Sequence, residues 1–401
     1  MGRKKKIESH GGDVFTLRLD KVYPNTAAEK ASAFGWVNWG RRNDWPRQIL
    51  ALYAQSPTLS ACANFCVKAL LGGGVDYGAM GLDGSQVTPN YRYGWDELIR
   101  RCSTDYFLLG GFAIQVIKNN DGRTYSLYHQ PMETVRCAQR DDDGVVNDYY
   151  LCKDWTATAK YPPVRIPSLV TRPDGEWDLK RGEPYLFVPE FYSPIGDYYP
   201  TSCWTSAIKS VQSEVEMVTF DLRTTSNLFA PAGAISLPPA ESEEQKQAIL
   251  NNIQSMFTGA ENAQQLLVTF RNDSEDSPIT FTPFTASTDN VDLFSSSNDR
   301  NVDRILSTFC IPSRSLIGLP LGNVGFSSES GILETAYNLY NTLAGNESRR
   351  AVIGVMNECF RANGIDVEIV LKPLDFGEAA DNAAADAAQN ISENNIEEQQ
   401  Q

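Results

Sequence analysis

The stretch CIPSRSLIGLPLGNVGFSSESGILETAYNLY, from Cys310 to Tyr340, holds glycines at 318, 322 and 325 and a single arginine, Arg314. A serine cluster and a long apolar-periodic segment follow. Backbone N–H groups exposed ahead of a helix N-terminus make a ready anion site, so the Gly318–Gly325 loop admits phosphate or nucleotide binding. Its spacing argues against that chemistry. A Walker-type loop needs G-x-x-x-x-G-K-[ST], but no lysine follows these glycines and Phe326 stands where polar groups are required. A dinucleotide loop fails as well, because the pattern before it is helical and not that of a strand. Glycines also let a loop change shape at low steric cost, and mobility is the better reading of these three.

Other catalytic constellations are hard to build. The two histidines are His10, near the chain start, and His129, inside a strand pattern beside Pro131, so a histidine acid–base pair or nucleophilic triad lacks its parts. Asp141 to Asp143 fall in a "DDDG" turn, where aspartate is favoured for local backbone hydrogen bonding. Cys62 and Cys66 lie one helical turn apart without two further ligands at zinc-site spacing. The expectation is no catalytic residue, no metal and no cofactor, hence no enzyme.

The elements that would position this stretch follow from periodicity. "PRQILALYAQSP" and "PTLSACANFCVKALLGGG" are two helices, the second begun at Ser56-Pro57 and stopped by Gly72 to Gly74. "GWDELIRRCSTDYFLLGG" is a third, handing over to strands at "FAIQVIKN" and "TYSLYHQ", then "METVRCA", "VVNDYYLC" and "PYLFVPEF". From Thr201 to about Leu228 a long helix carries Trp204, Ile208, Val211, Val215, Val218 and Leu222 at alternating steps of four and three. That narrow apolar stripe suits packing along one seam. A strand, a capped helix at "ESEEQKQAILNNIQSMFTG" and two strands fill residues 230–285. A second long helix spans about Asp289 to Phe309 and is closed by Ile311-Pro312. A third begins near Ser328, with a kink expected at Gly345, and "IDVEIVLKPLDF" reads as a strand returning to the first half.

A chain of 401 residues with ordinary apolar content is large enough for several cooperating cores. A formal charge of −15 argues against gripping nucleic acid over the whole surface, because such binding works by Lys and Arg neutralising phosphates. The eight cysteines are scattered through apolar runs and read as reduced core residues, with no secretory signal or membrane-spanning pattern. "MGRKKK" is a basic, solvated start, and residues 377–401 are an acidic polar tail expected to be disordered.

Three blocks, in this order, resemble the portal proteins (head–tail connectors) of tailed bacteriophages. They are "LYAQSPTLSACANFCVKALLGGG", "DELIRRCSTDYFLLGGFAIQVIKNNDGRTYSLYHQPMETVRCA", and the run from Tyr199 to Gly345 of helix, small insertion, helix ending in "IP", glycine loop and long helix. The order carries the resemblance, since none of the motifs is specific alone.

The resemblance implies an α+β portal fold: an irregular segment at 1–45, a wing at 46–200, stem helices at 201–229 and 286–312, and a clip at 230–285. It further implies a tunnel loop at 313–327, and a long helix with a return to the wing or a reduced crown at 328–376. It implies a dodecameric ring at one capsid vertex of the virion, assembled in the host bacterial cytoplasm, through which double-stranded DNA is packaged and ejected without sequence readout. The partners implied are copies of itself, the large terminase subunit, a head–tail adaptor protein, the major capsid protein and scaffold, with no membrane. Arg314, Leu319, Leu321, Asn323 and Val324 would then lie at or near the channel's narrowest point, Arg314 either against phosphate or in a salt bridge to a neighbouring loop or stem. The alternative is a phosphate- or nucleotide-binding enzyme using the Gly318–Gly325 loop.

Overall fold

A computed structural model describes residues 31–142, 144–169, 177, 179–194, 196–226, 233–237, 247, 266–270, 280–283, 288–319 and 330–374. Two short helices joined at one residue come first among the helices. Helix α1 covers Trp45–Gln55 and α2 covers Pro57–Leu71. Ser56 caps α2 by accepting the Leu59 N–H at 3.0 Å, and Pro57 supplies a helical φ where no N–H is needed. The stop after α2 is steric as well as conformational. Gly72 sits at φ 59°, and a Cβ there would collide with the Lys372 carbonyl.

Helix α3, Trp95–Leu109, buries Trp95, Leu98, Ile99 and Cys102 and ends in a left-handed Gly110 whose N–H bonds Tyr106 O. Strand β1 (Ala113–Lys118) then pairs antiparallel with β2 (Tyr125–Gln130). The next strand pattern opens as a 3-10 turn at Met132–Thr134, so β3 is only Val135–Cys137. It joins β4 (Asp148–Leu151) and β5 (Val164–Pro167) in an antiparallel sheet. Sequence periodicity gave no sign of β5, a four-residue strand flanked by prolines. Strand β6, Pro184–Phe187, pairs on the free side of β1 to complete the sheet β2-β1-β6.

Helix α4, Ile208–Ser226, is entered through a 3-10 turn at Cys203–Ala207 rather than running as one α-helix from Thr201. A third small sheet has the order β8-β7-β9, from β7 (Gly233–Leu237), β8 (Leu266–Phe270, parallel to β7) and β9 (Thr280–Pro283, antiparallel). A parallel pair needs a crossover connection, which the expected helix between these strands would supply; apart from a helical Gln247, that helix lies outside the described residues. Helix α5 is Thr288–Thr308. Helix α6, Ser330–Tyr340, runs without a break through a π turn at Asn341–Gly345 into α7, Asn346–Ala362. At Gly345, where a kink was expected, the helix carries a π turn that absorbs one extra residue.

The strand expected over 365–376 is not one. Leu371 makes an isolated bridge to Val75, and Lys372 donates to Gly74 O while Asp76 donates to Val370 O, both at 2.8 Å. Pro373 has no N–H to extend a ladder. Residues 1–30 and 375–401 lie outside the described residues.

A continuous core links these parts. Trp95 meets Phe360 of α7 edge-on at 4.4 Å between ring centres, and Phe65 of α2 meets Tyr340 of α6 at 4.9 Å. Trp204, Val211, Ile305, Leu306 and Phe309 are buried in the same core, so α4 and α5 are rooted in it. Each such side chain contributes about 1.5–3 kcal/mol on burial.

Candidate functional site: the Ser313–Leu319 stretch and its supports

Helix α5 ends with Cys310 at φ 55°, a costly conformation for a non-glycine residue, and Ile311 turns back into the core at 5% exposure. Ser313 then caps a 3-10 turn over Arg314–Ile317, which closes at a left-handed Gly318. The Gly318 N–H donates to Ser315 O at 3.0 Å and the Leu319 N–H to Arg314 O at 3.1 Å. These donors are used inside the turn. The described stretch up to Leu319 therefore offers no cradle of amides aimed at an anion.

Arg314 is turned back onto α5. Its Nε reaches Asp303 Oδ1 at 2.9 Å, Nη1 reaches Asp299 Oδ1 at 2.9 Å, and Nη2 reaches the Asp299 carbonyl at 3.0 Å. The two carboxylates stand four residues apart on one helix face, which matches the fork of the guanidinium. Donating to Asp299 and then to Asp303 raises the Arg314 pKa above its ordinary value. Of the five residues predicted for the site, Arg314 and Leu319 are therefore five residues apart on one turn, with Leu319 38% exposed. Leu321, Asn323 and Val324 lie outside the described residues.

Beneath the turn, α5 packs on α4. Buried Asn301 donates to Ser213 Oγ at 3.0 Å, a polar contact that fixes the register between the two helices. Along α4 the apolar stripe divides. Trp204, Ile208 and Val211 are buried to 2% exposure or less, whereas Val218 is 49% and Leu222 67% exposed.

Sequence reasoning missed the groups that tie α4 and α7 to α2. Glu214, 5% exposed, accepts the Thr58 hydroxyl at 2.5 Å, the Thr58 N–H at 3.3 Å and the Ser56 hydroxyl. At the opposite end of α2, Arg349 of α7 donates to Ala69 O at 2.8 Å and Leu70 O at 3.2 Å. An acid thus sits on the positive end of the α2 dipole and a base on its negative end. The available signal was Glu214 itself, three residues after Val211 and so on the stripe face of its helix.

The remaining candidates are structural. His129 Nε2 lies 2.8 Å from Asp105 Oδ2, which also accepts the Met132 N–H at 2.9 Å. Asp141 accepts the Val145 N–H at 2.8 Å and the Asn147 amide at 2.6 Å, closing its own turn. All eight cysteines are free thiols; burial, with a smaller contribution from Glu214, pushes Cys62 up to about 12, the opposite of a reactive thiolate. Among the described residues no group of three or more His, Cys, Asp or Glu is placed to hold a metal, and no helix is long and apolar enough to cross a membrane.

No protein-family model matches the chain, and no curated protein matches it. Solved structures do. A chain in the virion of a native gene transfer agent particle aligns with a TM-score of 0.54 at 14% identity, covering 92% of this chain and 93% of that one. A chain in the neck of the native particle, computed with C12 symmetry, aligns at 0.53 and 15% identity. Another in the neck of the empty particle, computed with C6 symmetry, aligns at 0.53 and 14%; the coverage is the same for both. At such identities the likeness is one of fold, and it extends over nearly the whole of each chain.

Proposed function

We propose that this chain is the portal protein of a phage-type particle. It would be a non-enzymatic ring subunit, twelve to a ring, whose channel passes double-stranded DNA into and out of a capsid. The observation that carries this reading is the end-to-end likeness of fold to chains of a virion and its neck, one of them computed with C12 symmetry.

The physical features agree with it. A ring needs two different surfaces of one subunit to meet by rotation, and the exposed lower half of the α4 stripe is one apolar surface free to do so. A net charge of −15 keeps a channel from neutralising phosphates along its length, which would brake the DNA.

In this reading residues 46–200 form the wing, 201–229 and 286–312 the stem, 230–285 the clip and 313–327 the tunnel loop. Residues 328–376 form the long helix with its return. The large terminase subunit supplies ATP hydrolysis and docks on the clip, a head–tail adaptor later takes its place, and the major capsid protein and scaffold surround the ring. Leu319, Leu321, Asn323 and Val324 line the narrow point. Arg314, already satisfied by two aspartates, fixes the base of the loop and does not hold phosphate.

Purified protein viewed by electron microscopy should form rings with a central hole. Deleting Gly318 to Gly325 should leave the rings and abolish DNA packaging or retention. A compact monomer that binds labelled ATP would instead establish the enzyme reading of the same loop.

A further inference from the structure

A buried arginine ordinarily has a carboxylate to answer its charge, and Arg136 of β3 has none. It is 1% exposed, and its guanidinium lies 4.8 Å from the Trp155 ring centre and 5.7 Å from that of Trp39. Its donors go to neutral oxygens. Nε bonds Asn43 Oδ1, Nη2 bonds Asn43 O at 2.9 Å, and Nη1 bonds Glu133 O at 2.9 Å and Val135 O at 2.7 Å. Those bonds tie the turn before α1 to β3 and use four of the five N–H groups. Among the described residues the second Nη2 hydrogen has no acceptor, and no carboxylate lies within 4 Å of the guanidinium. Burial pulls the Arg136 pKa down to about 10, as it does for a charge lacking its counter-ion.

Arg136 lines a cavity of about 330 Å³ between the start of α1, the turn before β3 and the segment 153–161. The other charges there divide into pairs and an excess. Arg47 lies 3.8 Å from Asp154, and Arg42 lies 3.5 Å from Asp44. Lys153 and Lys160 hold their ammonium groups 5.3 and 5.2 Å from the Tyr161 ring centre, and among the described residues neither has a carboxylate within 4 Å. Glu133, the remaining acid of the lining, has its pKa raised by burial and then by Asp105, so its negative charge is disfavoured. Three cations without partners thus gather at one cavity of a chain whose net charge is −15.

A carboxylate on a flexible side chain fits this place. It is small enough to enter, it accepts the spare guanidinium N–H, and its stem packs on Trp155. A DNA duplex is too wide for the cavity. The sequence holds a matching segment in residues 377–401, which carry Glu378, Asp381, Asp386, Glu393, Glu397 and Glu398 and no lysine, arginine or histidine. Reach is ample, because twelve residues of extended chain cover ~40 Å, whereas a folded chain of this length has a radius of gyration of about 21 Å. Tethering supplies an effective concentration of about 1 mM, so a contact too weak to hold a free peptide is still populated.

We propose that this cavity is a carboxylate site and that an acidic side chain from residues 377–401, of the same subunit or of a second copy, fills it. The carboxylate accepts from Arg136 at the bottom, and Lys153 and Lys160 attract the neighbouring acids at the rim. Neither the cavity nor the segment depends on ring formation, so this site stands or falls apart from the portal reading.

Lysine acetylation of the full chain, read by mass spectrometry, tests the site. Lys153 and Lys160 should react about fivefold faster when the six acids of 377–401 are replaced by Asn and Gln. Lys180, whose side chain is 78% exposed, should be unchanged and serves as the reference. Lys153 and Lys160 are exposed, so the pair Lys153→Glu and Lys160→Glu should leave the melting temperature within a few degrees. In that double variant a glutamate-specific protease should cut at Glu393 to Glu398 about fivefold faster than in the wild-type chain. Equal lysine reactivity with and without the six acids would overturn the proposal, and so would cleavage unchanged by the double variant. Salt separates the cavity from its rim: contact with a buried guanidinium should keep the lysines protected at about 0.5 M NaCl, and protection that vanishes there would mean surface attraction only and overturn the cavity as the site.

Discussion

The Thr58 hydroxyl donates to the Glu214 carboxylate at 2.5 Å, so that a charge carried by α4 closes the first turn of α2. With Arg349 on the last carbonyls, α2 is clamped between the helix that leads to β7 and the helix that returns from the Arg314 turn. A buried carboxylate with three donors is favourable only while all are present.

Replacing Glu214 with Ala should therefore cost about 2–4 kcal/mol, through two buried hydroxyls and an amide left without their acceptor. Glu214→Gln, which keeps one acceptor oxygen, should cost about half as much. Urea denaturation of both variants measures this. Equal losses would mean that packing, and not the cap, is what Glu214 supplies.

Glu97 provides a pH-dependent test. Its bond to Arg100, followed by that to Arg101 and their charges, pulls its carboxyl down to about 2 against some desolvation. A depressed folded-state pKa gives stability that is present above the ordinary glutamate value of about 4.5 and lost as pH falls toward 2. Its side chain is 30% exposed and its partners 52% and 43%, so solvent screening reduces the contribution to about 1 kcal/mol. The wild-type advantage over Glu97→Gln should fade between pH 4.5 and 2 in denaturation midpoints; a constant offset would reject this assignment.

Much of this architecture is legible in the chain. Ser56-Pro57 opens α2 and Gly110 closes α3 because caps and stops are local chemistry. Strand β5 carries no apolar run to read, since Val164, Arg165 and Pro167 are exposed and only Ile166 is buried. The π turn escapes because glycine at 345 signals a break in regularity but not the extra residue absorbed there. The Arg314 pairing needed the turn at Cys310 to carry it back eleven and fifteen residues to Asp303 and Asp299, a distance no periodicity spans. Leu319 was legible only as an apolar residue in a glycine-bearing loop; its exposure follows from the bonded turn beneath it.

Arg314→Ala should lower stability by less than about 1 kcal/mol, since its aspartate partners are 61% and 63% exposed and salt screens such pairs. The amide of Leu319 should exchange faster as the turn loosens. If the guanidinium is occupied by Asp299 and Asp303, the salt dependence of any DNA binding should not change. A slope in log K against log salt reduced by about one on Arg314→Ala would show a phosphate contact and reverse this assignment.

The α4 stripe divides along one helix into a buried half and an exposed half. Ile208 and Val211 are core residues whose truncation should unfold the chain, each costing about 2–5 kcal/mol as Ala for Ile and less for Val. Val218 and Leu222 continue the same four-and-three spacing but stand exposed in the single chain, so placing aspartate at both should leave the melting temperature of the isolated subunit within a few degrees. In a ring built through this seam, the pair Val218→Asp and Leu222→Asp would bury two unpaired charges per contact. Assembly should then be lost. Mass photometry of the double variant beside its thermal melt distinguishes the cases: subunits that stay folded but no longer associate identify the seam as the contact between copies, and intact rings would move that contact elsewhere.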